Sequence, residues 1–198
     1  MMNIKELAKQ QEQYVLDCRR WLHAHPELSC QEYETTKFII AELEKMGIPV
    51  QTYEDCTGCT AIIEGGKPGK RIAVRGDIDA LPVTEDTDLP FASENPGVMH
   101  ACGHDAHAAM LLGAARVLAE KKEALQGKIW FLFESGEELI YGVGASLYAG
   151  YALRSVRPEV MSLRYDLPLE EAWKAVTINP ATILGIENRV GSLEVGKD

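Results

Sequence analysis

The sequence has no apolar run approaching the roughly 20 residues that a membrane-spanning helix needs. Its first twenty residues, MMNIKELAKQQEQYVLDCRR, hold no apolar stretch of the kind that marks a secretory leader. A cytoplasmic chain with no membrane partner is therefore expected. Basic residues are outnumbered: 20 Lys and Arg stand against 30 Asp and Glu, for a formal net charge of −10. That argues against the cationic patches that hold phosphate backbones, so no nucleic-acid partner is expected. Cysteine is sparse and odd in number (Cys18, Cys30, Cys56, Cys59 and Cys102), which argues against a disulfide framework. There is no internal repeat and no low-complexity tract. With 198 residues, 46% of them apolar and 25% charged, the chain has an ordinary globular composition and can build a core.

Helical and strand patterns alternate. Ile4, Leu7, Tyr14, Val15, Cys18 and Leu22 form a helical stripe. Ile39, Leu43 and Met46 form another, closed by Gly47 and Pro49. Thr60 to Ile63, Ile72 to Val74 and Ile129 to Phe133 have strand character. Gly65-Gly66-Lys67-Pro68-Gly69 between the first two is a hairpin-type turn signal. A helix precedes the third strand, with Ala106, Ala109, Met110, Gly113 and Val117 on one face for close packing on a sheet. This alternation predicts an α/β layered domain.

Three polar clusters follow apolar runs or open a helix. Met99-His100-Ala101-Cys102-Gly103-His104-Asp105-Ala106-His107 brings three imidazoles, a thiol and a carboxylate together. Thiolate and imidazole are preferred ligands of zinc and other borderline metals. Gly103 would let Cys102 and His104 converge. On spacing alone, Cys-x-His is also what a buried thiol beside a surface histidine gives. Glu134-Ser135-Gly136-Glu137-Glu138 places adjacent carboxylates just beyond a strand. Such a pair is either a solvated acidic loop or a division of labour, one carboxylate holding a metal and the other accepting a proton. Arg75-Gly76-Asp77-Ile78-Asp79 offers two aspartates at i,i+2 that could ligate or orient a ligand. Cys56-x-x-Cys59 has no second pair and reads as a non-functional half-site.

Taken in order, Arg19 to Ser29 (RRWLHAHPELS), Gln31-Glu32, Arg75 to Pro82, Met99 to Ala114 and Glu134 to Glu138 resemble the amidohydrolase branch of metallopeptidase family 20. That branch includes aminoacylases, hippurate hydrolases, hydrolases of indole-acetyl amino acids and N-acetyl-diaminopimelate deacetylases. The resemblance covers residues 3–153. It implies a layered α/β/α sheet of a zinc-peptidase-like catalytic domain, and hydrolysis of the amide bond of a small N-acyl amino acid or similar conjugate. It also implies two divalent metals, zinc or manganese, and leaves a homo-oligomer open. Position by position, it implies that Cys102, His104 and Glu138 are metal ligands and that Glu137 is the general base. Asp79 supports the site, and Asp77, His100 and His107 stand around it. Structural roles are implied for His23 and His25.

The departures are as specific. Family members use two further histidines after the Glu pair, whereas no histidine follows His107 here, and the first such position falls near Ser162. The metal site is therefore expected to be incomplete and the catalytic domain, residues 1–153, partial. Residues 166–198 resemble the C-terminal part of the barrel-forming metal-dependent amidohydrolases related to imidazolonepropionase and dihydroorotase. They predict a short helical segment after a junction at 154–165, contributing no metal ligand. Two other readings stand beside an active hydrolase: a catalytically impaired fragment of that family, and a non-enzymatic interaction module using an exposed sheet edge.

Overall fold

The computed structural model describes residues 4–54 and 56–138. The junction at 154–165, the segment 166–198 and Ser162 lie outside the described residues.

What the apolar spacing presents as one N-terminal stripe is two helices, α1 (Ile4–Gln10) and α2 (Glu12–Ala24). The break is at Gln11, whose N–H donates to Ala8 O at 3.0 Å, an i−3 bond in place of the i−4 ladder. Helix α3 (Tyr33–Lys45) ends where the glycine signal places it. Gly47 takes a positive φ of 69°, and the N–H groups of Gly47 and Ile48 close back on Glu44 O and Leu43 O at 2.9 and 3.1 Å. Those bonds satisfy carbonyls that the last turn would leave open.

The sheet has the order β1 (Val50–Gln51), β2 (Cys59–Glu64), β4 (Gln126–Glu134), β3 (Lys67–Asp77). Strand β2 is antiparallel to both neighbours, and β3 is parallel to β4. The expected hairpin between β2 and β3 does not form, because β4 lies between them. Gly65 and Gly66 instead carry the chain past the start of β4. Their N–H groups donate to Gly127 O and Lys122 O at 2.8 and 2.9 Å. A Cβ on Gly65 would stand 2.6 Å from Leu125 O. The glycines answer to this close crossing rather than to a two-strand turn.

On one sheet face, Cys59, Ala61 and Ile63 of β2 stand opposite Phe133, Phe131 and Ile129 of β4. They share a core with Cys18 and Leu22 of α2, Ile39 and Leu43 of α3, and Ala108, Leu111, Leu112 and Ala115 of α4 (His104–Glu120). The buried side of α4 is rotated from the expected stripe: Ala109 and Gly113 face inward, but Met110 is 57% exposed. The reason is that α4 packs on two partners. Gly113 lies against Val15 of α2, where a Cβ would come within 2.5 Å of Val15 Cγ2, and Leu111 lies over Gly76 of β3. A second helical layer, on the side of Ile62, Trp130 and Leu132, is not among the described residues. No helix among them is long and apolar enough to cross a membrane.

The unit β3–α4–β4 is a parallel crossover. It brings the carboxyl ends of β3 and β4 and the N-terminus of α4 to one edge, where α/β sheets collect ligands.

Candidate metal centre

Asp77 ends β3 and stands in register with Glu134, which ends β4. Both carboxylates are buried. Side by side they would repel. Arg75 lies between them: its Nε donates to the Glu134 carboxylate and its Nη1 is 3.2 Å from Asp77 Oδ2. Its Nη2 lies 4.0 Å from Glu137 Oε1. One guanidinium thus serves three acids, which its fork of donors permits.

Gly103, at φ 95°, is the left-handed residue that admits the chain into α4. His104, the first residue of that helix, directs Nδ1 to the backbone O and Oδ1 of Asp79, at 2.9 and 3.0 Å. Both partners are acceptors, so Nδ1 carries the proton and the Nε2 lone pair is left free. Nε2 looks onto three carboxylate oxygens: Glu137 Oε2 at 3.6 Å, and Glu138 Oε1 and Asp77 Oδ1 at 3.7 Å. Ligand atoms of Cys102, His104 and Glu138 all lie within 4.8 Å of one another.

Glu138 Oε1 is buried and has no hydrogen-bond partner among the described residues. Burying an anionic oxygen without a donor is costly. A cation is the partner that a thiol, an imidazole nitrogen and a carboxylate would share, and this donor set suits a divalent metal. The Cys102 thiol is held above its usual pKa, first by its hydrogen bond to Glu138, then by burial and neighbouring acids. His104 is also raised, because its bond to Asp79 and the surrounding carboxylates outweigh burial.

Asp79 is the hinge of the arrangement. Its Oδ2 accepts the Ser29 hydroxyl at 2.6 Å and the Glu138 N–H at 2.9 Å. Burial works against its ionisation, but the bonds from His104, Ser29 and Glu138 prevail and hold its pKa below the usual value. A second triad, Asp77, His104 and His107, also meets within 4.8 Å. In it the His107 Nδ1 bonds Asp77 Oδ1 at 2.5 Å. His104 Nε2 can serve only one ion, and hydrogen bonding already accounts for the Asp77–His107 contact.

The remaining histidines stand apart from these triads. His100 is 5% exposed, and neither ring nitrogen has a partner among the described residues. Burial pushes its pKa down to about 4, so it is neutral. His23 is clamped between Asp105 Oδ2 at 2.7 Å and Glu85 Oε1 at 3.1 Å, with Arg19 Nε on the same Asp105 oxygen at 2.9 Å. His25 bonds Trp21 O at 2.7 Å and stacks on the Trp21 ring. Cys59 is a core thiol, pushed up to about 12 by burial, and neither it nor Cys56 belongs to a ligand cluster among the described residues.

Sequence reasoning passed over Arg75, Ser29 and Glu32 as site residues. Glu32 is fully buried. Its Oε1 accepts the Gly136 N–H at 2.8 Å, and its Oε2 accepts the Thr57 hydroxyl. The acid stands at the N-cap of α3 but makes no side-chain cap there. That departure from the usual use of an acid ahead of a helix is a signal that only the fold reveals.

Known proteins resemble this chain in sequence and fold. A model of peptidase family M20/M25/M40 matches residues 73–187, more than half of the chain. The N-acyl-L-amino acid amidohydrolase of Geobacillus stearothermophilus is 45% identical over 139 residues, 70% of this chain and 38% of that protein. The N-acetyl-L-cysteine deacetylase of Bacillus subtilis is 48% identical over 145 residues, 73% of this chain and 33% of that protein. The chain thus spans about a third of the length of these curated relatives. Among solved structures, the Bacillus subtilis YXEP protein, described as a dinuclear metal binding peptidase from the M20 family, superposes with a TM-score of 0.69 at 44% identity, covering 75% of this chain and 42% of that one. The chain belongs to peptidase family M20/M25/M40.

Proposed function

We propose that the chain carries the cation-holding part of an amidohydrolase that cleaves the amide bond of N-acyl amino acids or similar small conjugates. Cys102, His104 and Glu138 would hold a divalent cation, zinc or manganese. The observation that carries this reading is the three carboxylate oxygens facing His104 Nε2 at 3.6–3.7 Å, one of them the unpartnered Glu138 Oε1. The substrate class follows the relatives, an amidohydrolase of N-acyl-L-amino acids and a deacetylase of N-acetyl-L-cysteine.

A bound divalent cation supplies Lewis-acid polarisation of a carbonyl oxygen and of water. The protein's own part is to place groups and to move a proton. Asp79 fixes the tautomer and tilt of His104. Glu137, 38% exposed, turns Oε2 toward His104 and Oε1 toward Arg75. It accepts a proton from the attacking water and returns it to the leaving amine. Asp77 stays engaged by Arg75 and His107 and shapes the wall of the site.

Two variants test the division of labour. Glu137→Gln should abolish turnover of N-acetyl-L-cysteine and leave metal content unchanged. Glu138→Gln should lower both. Equal metal loss in the two variants would contradict the assignment.

A second reading rests on its own observation. All five histidines lie at or before His107, so the described residues give one cation three protein ligands. In that reading the chain is a catalytically impaired form, with a junction at 154–165 and a barrel-amidohydrolase-like segment at 166–198. Turnover on the order of 1–10³ per second by the 198-residue chain would exclude it.

A further inference from the structure

The turn that carries Glu137 and Glu138 is built from four residues after β4, and little in its own sequence fixes it. Ser135 and Gly136 precede the acids, and Gly136 takes φ 69°. Its direction is set from elsewhere. The Gly136 N–H donates to Glu32 Oε1 at 2.8 Å, across 104 positions of sequence. The Glu138 N–H donates to Asp79 Oδ2 at 2.9 Å, and Asp79 is in turn held by Ser29 at 2.6 Å. Both ends of the turn therefore hang, directly or through Asp79, on the segment Ser29–Glu32.

Glu32 is the unusual member. A fully buried carboxylate is expensive unless every lone pair finds a donor. Here the donors are the Gly136 N–H on Oε1 and the Thr57 hydroxyl on Oε2, and burial outweighs them, holding the Glu32 pKa above its usual value. Thr57 lies just ahead of β2, and Gly136 belongs to the turn beside the acids that face the proposed metal site. The seat is tight as well: a Cβ on Gly136 would stand 2.8 Å from Cys30 Sγ.

From this geometry we infer that Glu32 is a positioning residue for the metal centre: it holds the Gly136 turn so that Glu138 meets Cys102 and His104. The inference rests on the proposed metal site and deepens it. What matters is the reach of the side chain to the Gly136 N–H rather than its charge. Glutamine retains a carbonyl oxygen for Gly136, and its amide can donate to the Thr57 hydroxyl. Aspartate keeps the carboxyl group but is one methylene too short.

The test uses cobalt(II) binding to the 198-residue chain, read by the thiolate charge-transfer absorption of Cys102, together with the circular dichroism melt of each variant. Glu32→Asp is expected to weaken cobalt binding at least about tenfold, the scale seen when an outer support of a ligand is lost. Glu32→Gln is expected to stay within about threefold. Should Glu32→Asp fail to fold, Gly136→Ala strikes the same turn from the side of Cys30 and should weaken cobalt binding likewise. A folded Glu32→Asp, or in its place Gly136→Ala, that binds cobalt as tightly as the unmutated chain would overturn the inference. So would a loss in Glu32→Gln equal to that in Glu32→Asp. Absence of the absorption band in the unmutated chain would overturn the metal-site reading itself, and this inference with it.

Discussion

Asp79 holds Glu138 by its backbone, accepting the Glu138 N–H at 2.9 Å on Oδ2, while its Oδ1 and main-chain oxygen hold Nδ1 of His104. One aspartate therefore orients two of the three residues assigned to the cation, although it does not itself belong to either ligand cluster.

Replacing Asp79 with alanine should release both at once. The expected outcome is a roughly 10–100-fold loss of zinc affinity, with the helical content of the chain kept. Competition titration against a chelating dye checks this. Asp79→Asn, which keeps an acceptor for His104 while placing an amide toward Ser29 or Glu138, should fall between.

Acid stability should depend on Glu85. Burial opposes its ionisation, but hydrogen bonds from Thr87, the Ser93 N–H and His23 hold its pKa down at about 2. The folded value lies below the ordinary 4.5, so the ionised form favours the fold. That contribution is complete above about pH 4.5 and is lost as the pH falls toward 2. Glu85→Gln should cost about 1–3 kcal/mol at pH 7, the scale of hydrogen bonds to a charged group. The difference from the parent should shrink in melts at successively lower pH. A constant difference across pH 7, 4.5 and 3 would contradict this.

Helix α4 meets α2 through Gly113. A methyl group there would press on Val15 Cγ2 at 2.5 Å. Gly113→Ala is expected to destabilise the fold by about 1–3 kcal/mol through overpacking. Adding Val15→Ala should recover part of that loss, a coupling that a double-mutant cycle in urea measures.

The proposed ligand set was legible in the sequence where its members are neighbours. Cys102 and His104 are two residues apart and sit at a helix start, and Glu137-Glu138 follows an apolar strand, so local chemistry marked them as candidates and the family resemblance supplied their roles. Their supports were not legible in the same way. Ser29 reaches Asp79 across 50 positions, Glu32 reaches Gly136 across 104, and Arg75 reaches Glu134 across 59. Each is an ordinary polar residue until the fold closes these distances. The strands themselves were visible as apolar runs, but their order was not. A glycine-rich link between β2 and β3 looks like a hairpin, and only the insertion of β4 between them shows that the glycines serve a backbone crossing. The buried face of α4 differs from the expected stripe for a related reason. Small residues mark where α4 meets α2 and β3, but the two adjacent leucines, Leu111 and Leu112, show that the buried side is wider than a single stripe.

The central claim is that Cys102, His104 and Glu138 share one divalent cation. X-ray absorption at the zinc edge, on the zinc-loaded chain after exhaustive desalting, tests it most directly. The account predicts one sulfur scatterer at about 2.3 Å with nitrogen and oxygen at about 2.0–2.2 Å, and loss of the sulfur contribution in Cys102→Ser. Zinc that washes out of the unmutated chain, or a retained ion with the same shell in Cys102→Ser as in the parent, would contradict it.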